Sequence, residues 1–108
     1  MPNYLFVQSQ DPYTDRVTDD QFSLMTQLAS EGKEVSIFLT QNGVIPAAFQ
    51  AKCAAFDKLL DHTIKIYADR FSLEQRQIAE SDLKRNIESA EIHVVVQAML
   101  AGDKVIWN

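Results

Sequence analysis

The chain is poor in the residues from which recognisable sites are most often built. Its 108 residues include one cysteine, three glycines, three prolines and two histidines. A single thiol cannot close an intramolecular disulfide, which fits a reducing compartment. Gly32, Gly43 and Gly102 stand far apart, so there is neither a phosphate-cradling P-loop nor a dinucleotide fingerprint. His62 and His93 lack a Cys or His at metal-ligand spacing, so no metal site is expected, and no cofactor. No Gly-x-Ser-x-Gly elbow is present either. Basic residues are also few: ten Lys/Arg against fifteen Asp/Glu give a net charge of −5. Nucleic-acid binding needs clustered cations to neutralise phosphates, and none cluster here. An acidic chain also disfavours anionic membranes. The N-terminus has no basic n-region or long apolar stretch, so no signal peptide or membrane span is expected, and the default location is cytoplasmic.

What the sequence does contain is an alternation of short apolar runs and helical spacings. Tyr4 to Val7 is a continuous apolar run, as in a strand covered on both faces. After a polar loop over residues 8–16, Thr18 and Gln21 form a capping-box pattern. Phe22, Met25, Leu28 and Ala29 then recur at helical intervals, and Gly32 sits where a C-terminal cap belongs. Val35 to Leu39 reads as a second strand. Pro46 suits the first turn of a following helix, in which Phe49, Cys53, Phe56 and Leu60 fall on one apolar stripe. Ile64 to Ala68 reads as a third strand, less fully buried because of Lys65. Ser72 with Gln75 suggests a short capped helix, and Ile78, Leu83 and Ile87 are scattered apolar anchors.

Ile92, Val95, Val96, Met99 and Leu100 match the spacing of one helical face, with Ser89 as N-cap and Gly102 as stop. The β-branched run Val94 to Val96 also suits a strand, but length and periodicity favour the helix. Lys104 to Trp107 closes the chain as a strand. The expected fold is therefore α/β, a three-layer α/β/α sandwich with a mostly parallel sheet of about five strands, flavodoxin- or Rossmann-like, over residues 1–108 as one domain.

In such sheets ligands bind beyond the carboxyl ends of the strands. That rule selects the loops Ser9 to Tyr13, Gln41 to Val44 and Asp69 to Ser72, and with them the candidate binding residues Asp11, Tyr13, Gln41, Asn42, Asp69, Arg70 and Ser72. The bland alternative is that loops are polar because they are wet, and that Asp11-Pro12 and Asn42-Gly43 serve turn chemistry. Cys53 is the candidate nucleophile, but the helical stripe places it among core side chains, where a free cysteine acts as a small hydrophobe. The histidines suit bland roles, His62 at a turn before the third strand and His93 facing solvent.

The segments Tyr4-Leu-Phe-Val-Gln-Ser-Gln-Asp-Pro-Tyr13 and Leu28-Ala-Ser-Glu-Gly-Lys-Glu-Val-Ser-Ile-Phe-Leu-Thr-Gln-Asn-Gly-Val44, with the closing Ala101-Gly-Asp-Lys-Val-Ile106, resemble DsrE/DsrF-like proteins. The resemblance spans nearly the whole chain. It implies a compact subunit of homo- or hetero-oligomers, active in sulfur oxidation or in sulfur transfer for tRNA thiolation. Active members carry a persulfide on a cysteine in the loop after strand three. Here that loop reads Tyr67-Ala-Asp-Arg-Phe-Ser-Leu-Glu-Gln-Arg76, with Asp69 and Ser72 where cysteines are expected. Neither side chain forms a persulfide, and Asp69 would disfavour a nearby thiolate. The leading expectation is a non-catalytic binding or assembly subunit, forming a homo-oligomer or pairing with related subunits, with Trp107 or Phe71 contributing to contacts. The alternatives are a sulfurtransferase using Cys53, and a small-ligand binder or enzyme using Asp69 and Arg70.

Overall fold

The computed structural model describes residues 3–13 and 16–108, with Arg16 described by its backbone alone. Five strands, β1 (Tyr4–Gln8), β2 (Val35–Leu39), β3 (Ile64–Asp69), β4 (Ile87–Ala90) and β5 (Lys104–Trp107), form one sheet in the order β4-β3-β2-β1-β5. Every pairing is parallel. The chain winds outward from β1 to β4 and then crosses back to place β5 on the far side of β1. The α-helices are α1 (Arg16–Ser30), α2 (Ala54–Asp57), α3 (Arg70–Gln75) and α4 (His93–Leu100). A 3-10 helix over Gln41–Ala47 follows β2, and another over Lys58–Asp61 extends α2.

The two faces of the sheet are covered unequally. One carries α1, the 3-10 helices over Gln41–Ala47 and Lys58–Asp61, α2 and α3, with fifteen buried hydrophobics among the described residues that include Phe6, Ile37 and Ile66 from the sheet and Phe22, Met25, Phe56 and Leu73 from the helices. The other has four, Leu5, Val7 and Phe38 beneath Val95 of α4. The alternation of side chains along each strand sorts them: Phe6 goes to the thick layer, Leu5 and Val7 to the thin one. Burial of each large side chain contributes about 1.5–3 kcal/mol, so most of the hydrophobic stabilisation lies on the thick side.

Several elements form as their sequence predicts. β2 and β5 have the expected limits. Helix α1 ends in a Schellman turn: Gly32, at φ +84°, donates to the Ala29 carbonyl, and Lys33 N–H reaches the Leu28 carbonyl. α4 closes in the same way at Gly102.

Other expectations are overturned. Residues 46–60 are not one helix. Pro46 lies inside the 3-10 helix. The next segment is drawn sideways, with Phe49 N–H donating to the Asp82 carbonyl, Lys84 N–H to the Ala47 carbonyl, and Ala48 bridging Leu83. Phe49 is consequently exposed, and Cys53 is the half-buried N-cap residue of α2, touching the core from its edge rather than lying within it. Thr18 sits inside the first turns of α1, and its hydroxyl accepts from Gln8 Nε2 at 3.0 Å; it does not cap the helix start. Asp69, not Ser72, caps α3. Ser89 belongs to β4, a strand without a clear sequence signal, and Ile92 takes the N-cap position of α4. The predicted stripe of α4 is split as well: Val95 is buried, whereas Ile92, Val96, Met99 and Leu100 are exposed.

Candidate functional site

The carboxyl ends of β1, β2 and β3 present the three loops selected from the sequence. Gly43 holds two of these loops together by having no side chain. A Cβ built there would lie 2.0 Å from the Gln8 carbonyl oxygen, so only glycine allows the 3-10 helix to rest on the end of β1.

The seven candidate residues fall into separate clusters. Asp69, Ser72 and Gln41 meet in the first. The Asp69 carboxylate accepts from Ser72 N–H at 3.1 Å and from the Ser72 hydroxyl at 2.6 Å. The Ser72 oxygen in turn accepts from Gln41 N–H at 2.8 Å, with Thr40 Oγ1 at 3.4 Å. Gln41 has φ +51°, a left-handed conformation that is unfavourable for a residue with a Cβ. The Ser72 bond, from a residue 31 positions away, helps hold it. Ser72 is buried, so the cluster is a staple between the β2 and β3 loops and its polar atoms are turned on one another.

Asn42 forms a second contact, accepting from Arg76 at 2.9 Å, while Arg76 also donates to the Ser72 carbonyl. Arg70 turns away from Asp69. It pairs with Glu80 at 3.5 Å and Glu91 at 3.3 Å and reaches Ser89 at 3.5 Å. A groove of about 450 Å³ lies there, lined by Asp69, Arg70, Phe71, Glu74, Glu91 and Ile92. Its one cation is already held by carboxylates, which makes it unsuited to an anionic ligand.

Asp11 and Tyr13 belong to a third place. Tyr13 N–H donates to the Asp11 carboxylate at 2.8 Å, and its hydroxyl donates to the Lys52 carbonyl at 3.0 Å. This sets the phenol beside Cys53. Burial raises its pKa, and the charges of Cys53, Asp57 and Asp11 push in the same direction. The ring is 52% exposed, so water screens much of this influence. Asp57 itself pairs with Lys84 at 2.7 Å, whose ammonium lies 5.4 Å from the centre of the Phe56 ring.

Sequence reasoning missed Gln8, Thr18 and Asn108, which fill the crevice where the winding reverses between β1 and β5. Ser9 N–H and hydroxyl both donate to the Asn108 carbonyl, at 2.7 and 2.9 Å, and Asn108 Nδ2 lies 3.4 Å from Thr18 Oγ1. The signal was the buried polar residue at the end of β1, Gln8, which continues an apolar strand and must find partners. A larger concavity, about 870 Å³, is elsewhere: an open groove along β3 and β4 lined by residues that include Lys65, Tyr67 and Glu88. Among the described residues no three His, Cys, Asp or Glu side chains gather where they could hold a metal. No helix among them is long and apolar enough to cross a membrane.

The five-stranded parallel sheet, its reversal beside β1 and the stapled strand-end loops define the class as a small three-layer α/β protein. The chain belongs to the DsrE/DsrF-like family, whose profile matches residues 3–107. The YchN protein of E. coli is similar in structure, with a TM-score of 0.87 at 17% identity over 100% of both chains. A protein of unknown function from Methanobacterium thermoautotrophicum gives 0.80 at 14% identity, again over 100% of both. One from Bacteroides thetaiotaomicron gives 0.77 at 17% identity, over 98% of this chain and 95% of that one. At these identities the structures show a shared fold. No curated protein matches the sequence at a significant level.

Proposed function

We propose that this chain is a non-catalytic DsrE/DsrF-like subunit that works by binding or assembly, in homo-oligomers or with related subunits, in a setting linked to sulfur metabolism. The observation that carries this reading is the loop after β3. Where a sulfur carrier would present a thiolate, Ser72 is buried and hydrogen-bonded to Asp69 and Gln41. A hydroxyl held in this way is a structural group. The carboxylate beside it opposes any negative charge that a persulfide would bring.

Two measurements test the reading. Incubation with a low-molecular-weight persulfide donor, followed by intact mass analysis, should leave the chain unmodified. Light scattering at high micromolar concentration, alone and with DsrE-like subunits, should give a mass above the 12.2 kDa of one chain. A strict monomer under every condition overturns the assembly role.

One observation favours a second reading, a sulfurtransferase on Cys53. The thiol is half-buried at the start of α2 rather than sealed on a core stripe. In that reaction the Cys53 thiolate attacks the outer sulfur of a donor persulfide. A new S–S bond forms at Cys53 as the donor's S–S bond breaks, and the donor leaves as a thiolate. A one-sulfur mass increment that disappears in Cys53→Ser would establish this reading in place of the first.

A further inference from the structure

The groove at the head of α3 and α4 differs from the other strand-end clusters in presenting apolar surface and uncompensated charge together. Phe71 and Ile92, both in its lining, are 65 and 55% exposed. Leu73, two residues after Phe71, is buried in the core, so α3 is anchored without Phe71 and holds that ring out in the groove. Three carboxylates, Asp69, Glu74 and Glu91, stand around one cation, Arg70, and Glu80 on Arg70 adds a fourth. The carboxylates differ in what they already hold. Asp69 is turned onto Ser72, and Glu91 shares Arg70 with Glu80. Glu74 is exposed, and among the described residues nothing engages its carboxylate. It follows Phe71 by three positions on α3, the spacing that sets two side chains side by side on a helix.

We infer that this groove is a docking site for an arginine side chain carried on an exposed segment of a partner protein. This rests on the binding reading above and names a surface and the chemistry it recognises. Charge complementarity selects the occupant. The acidic lining repels anionic groups, and a bare metal ion would leave Phe71 and Ile92 in water. Arginine meets both demands of the groove. Its aliphatic stem covers apolar surface, its planar guanidinium stacks on an aromatic face, and its fork of N–H donors suits carboxylates such as Glu74 and Glu91. Arg70 supplies the precedent within the chain, since Glu91 already accepts from its guanidinium at 3.3 Å. The groove is open and about 450 Å³ in volume. A free small molecule would keep much of its surface wet there, whereas a side chain delivered on a larger surface adds contacts around the rim.

Titration of the isotopically labelled full chain with the capped tripeptide acetyl-Gly-Arg-Gly-amide, followed by amide NMR, tests this. Saturable shifts should centre on Phe71, Glu74, Glu91 and Ile92. The same peptide with citrulline keeps the shape of arginine without its charge, and it should bind at least about tenfold more weakly. Glu74→Gln should weaken the arginine peptide about threefold. Phe71→Leu, which keeps apolar surface and removes the ring, should also weaken it about threefold. Both side chains are exposed, so the far-UV circular dichroism spectrum should stay as in wild type.

Equal affinity for the citrulline peptide overturns the docking site. So do saturable shifts centred elsewhere, and so does the absence of any saturable shift at high millimolar peptide. Free arginine binding more tightly than the peptide overturns the partner protein as occupant and assigns a small-molecule ligand in its place. None of these outcomes alters the mass read by light scattering, so the assembly reading fails or stands separately. A persulfide on Cys53 removes the non-catalytic reading and leaves the groove intact.

Discussion

Helices α1 and α4 cover opposite faces of one sheet, and both repeat apolar residues at helical intervals. In α1 Phe22 and Met25 are buried, and the outside is mostly polar, with Asp20, Ser23, Gln27 and Ser30 exposed beside Val17 and Leu24. In α4 the inner side is Val94, Val95 and Ala98, and the outside is mostly apolar, with Ile92, Val96, Met99 and Leu100 exposed beside His93 and Gln97. The first helix presents a mostly polar outer side and the second a mostly apolar one. Periodicity alone treats the two alike, since it detects an apolar stripe without saying whether the opposite stripe is polar.

This contrast can be broken at several points. The largest effect should come from the closed side. Phe22→Ala removes a buried ring set edge-on to Phe56 at 5.9 Å and should cost about 4 kcal/mol, read from urea unfolding and independent of protein concentration. Next is the staple under the strand-end loops. Ser72→Ala deprives Gln41 N–H of its acceptor and Asp69 of one donor, a loss of about 2 kcal/mol; an unchanged urea midpoint would show that the staple is dispensable.

On the open side, Leu100→Ser should shift the stability of dilute protein by less than about 0.5 kcal/mol. A large loss would mean that Leu100 packs within the chain more closely than its 83% exposure implies. The smallest effect concerns Tyr13, at the rim of the closed side. Its pKa is raised by burial and nearby negative groups, so the folded chain holds the phenolic proton more tightly than the unfolded chain does. That contribution is complete below about pH 10, the unfolded value, and fades as pH rises through the raised folded value. Ultraviolet titration of tyrosinate should lose a component ionising above the ordinary tyrosine value in Tyr13→Phe.

Much of the fold was legible because its strands are apolar runs of strand length and its long helices end on glycine. The misreadings share a cause, which is that residues distant in sequence claim the backbone first. Phe49, Cys53, Phe56 and Leu60 are spaced as a helix should be, but Asp82 and Lys84 hydrogen-bond the segment around Ala47 to Phe49 and pull it open. β4 reads Ile-Glu-Ser-Ala, too short and polar to announce itself; it exists because β3 offers an unpaired edge. The strand-end rule located the loops, but the partnership of Ser72 with Gln41 depends on distances that no local pattern encodes. The same holds for the separation of Arg70 from Asp69.

The return of the chain from β4 to β5 carries a consequence for how the molecule comes to be folded. β1 precedes the other four strands in the chain, yet its second neighbour is residues 104–107, in register Tyr4 with Lys104 and Val7 with Trp107. Nearly the whole chain must be available before that edge is paired, and pairing at such sequence separation is slow because loop closure comes before the contacts that reward it. During synthesis β1 therefore waits as an open, apolar edge while β2 and β3 dock on its other side. Refolding should be limited by this late capture, and the interval before it is when the chain is most exposed to association with the wrong partner.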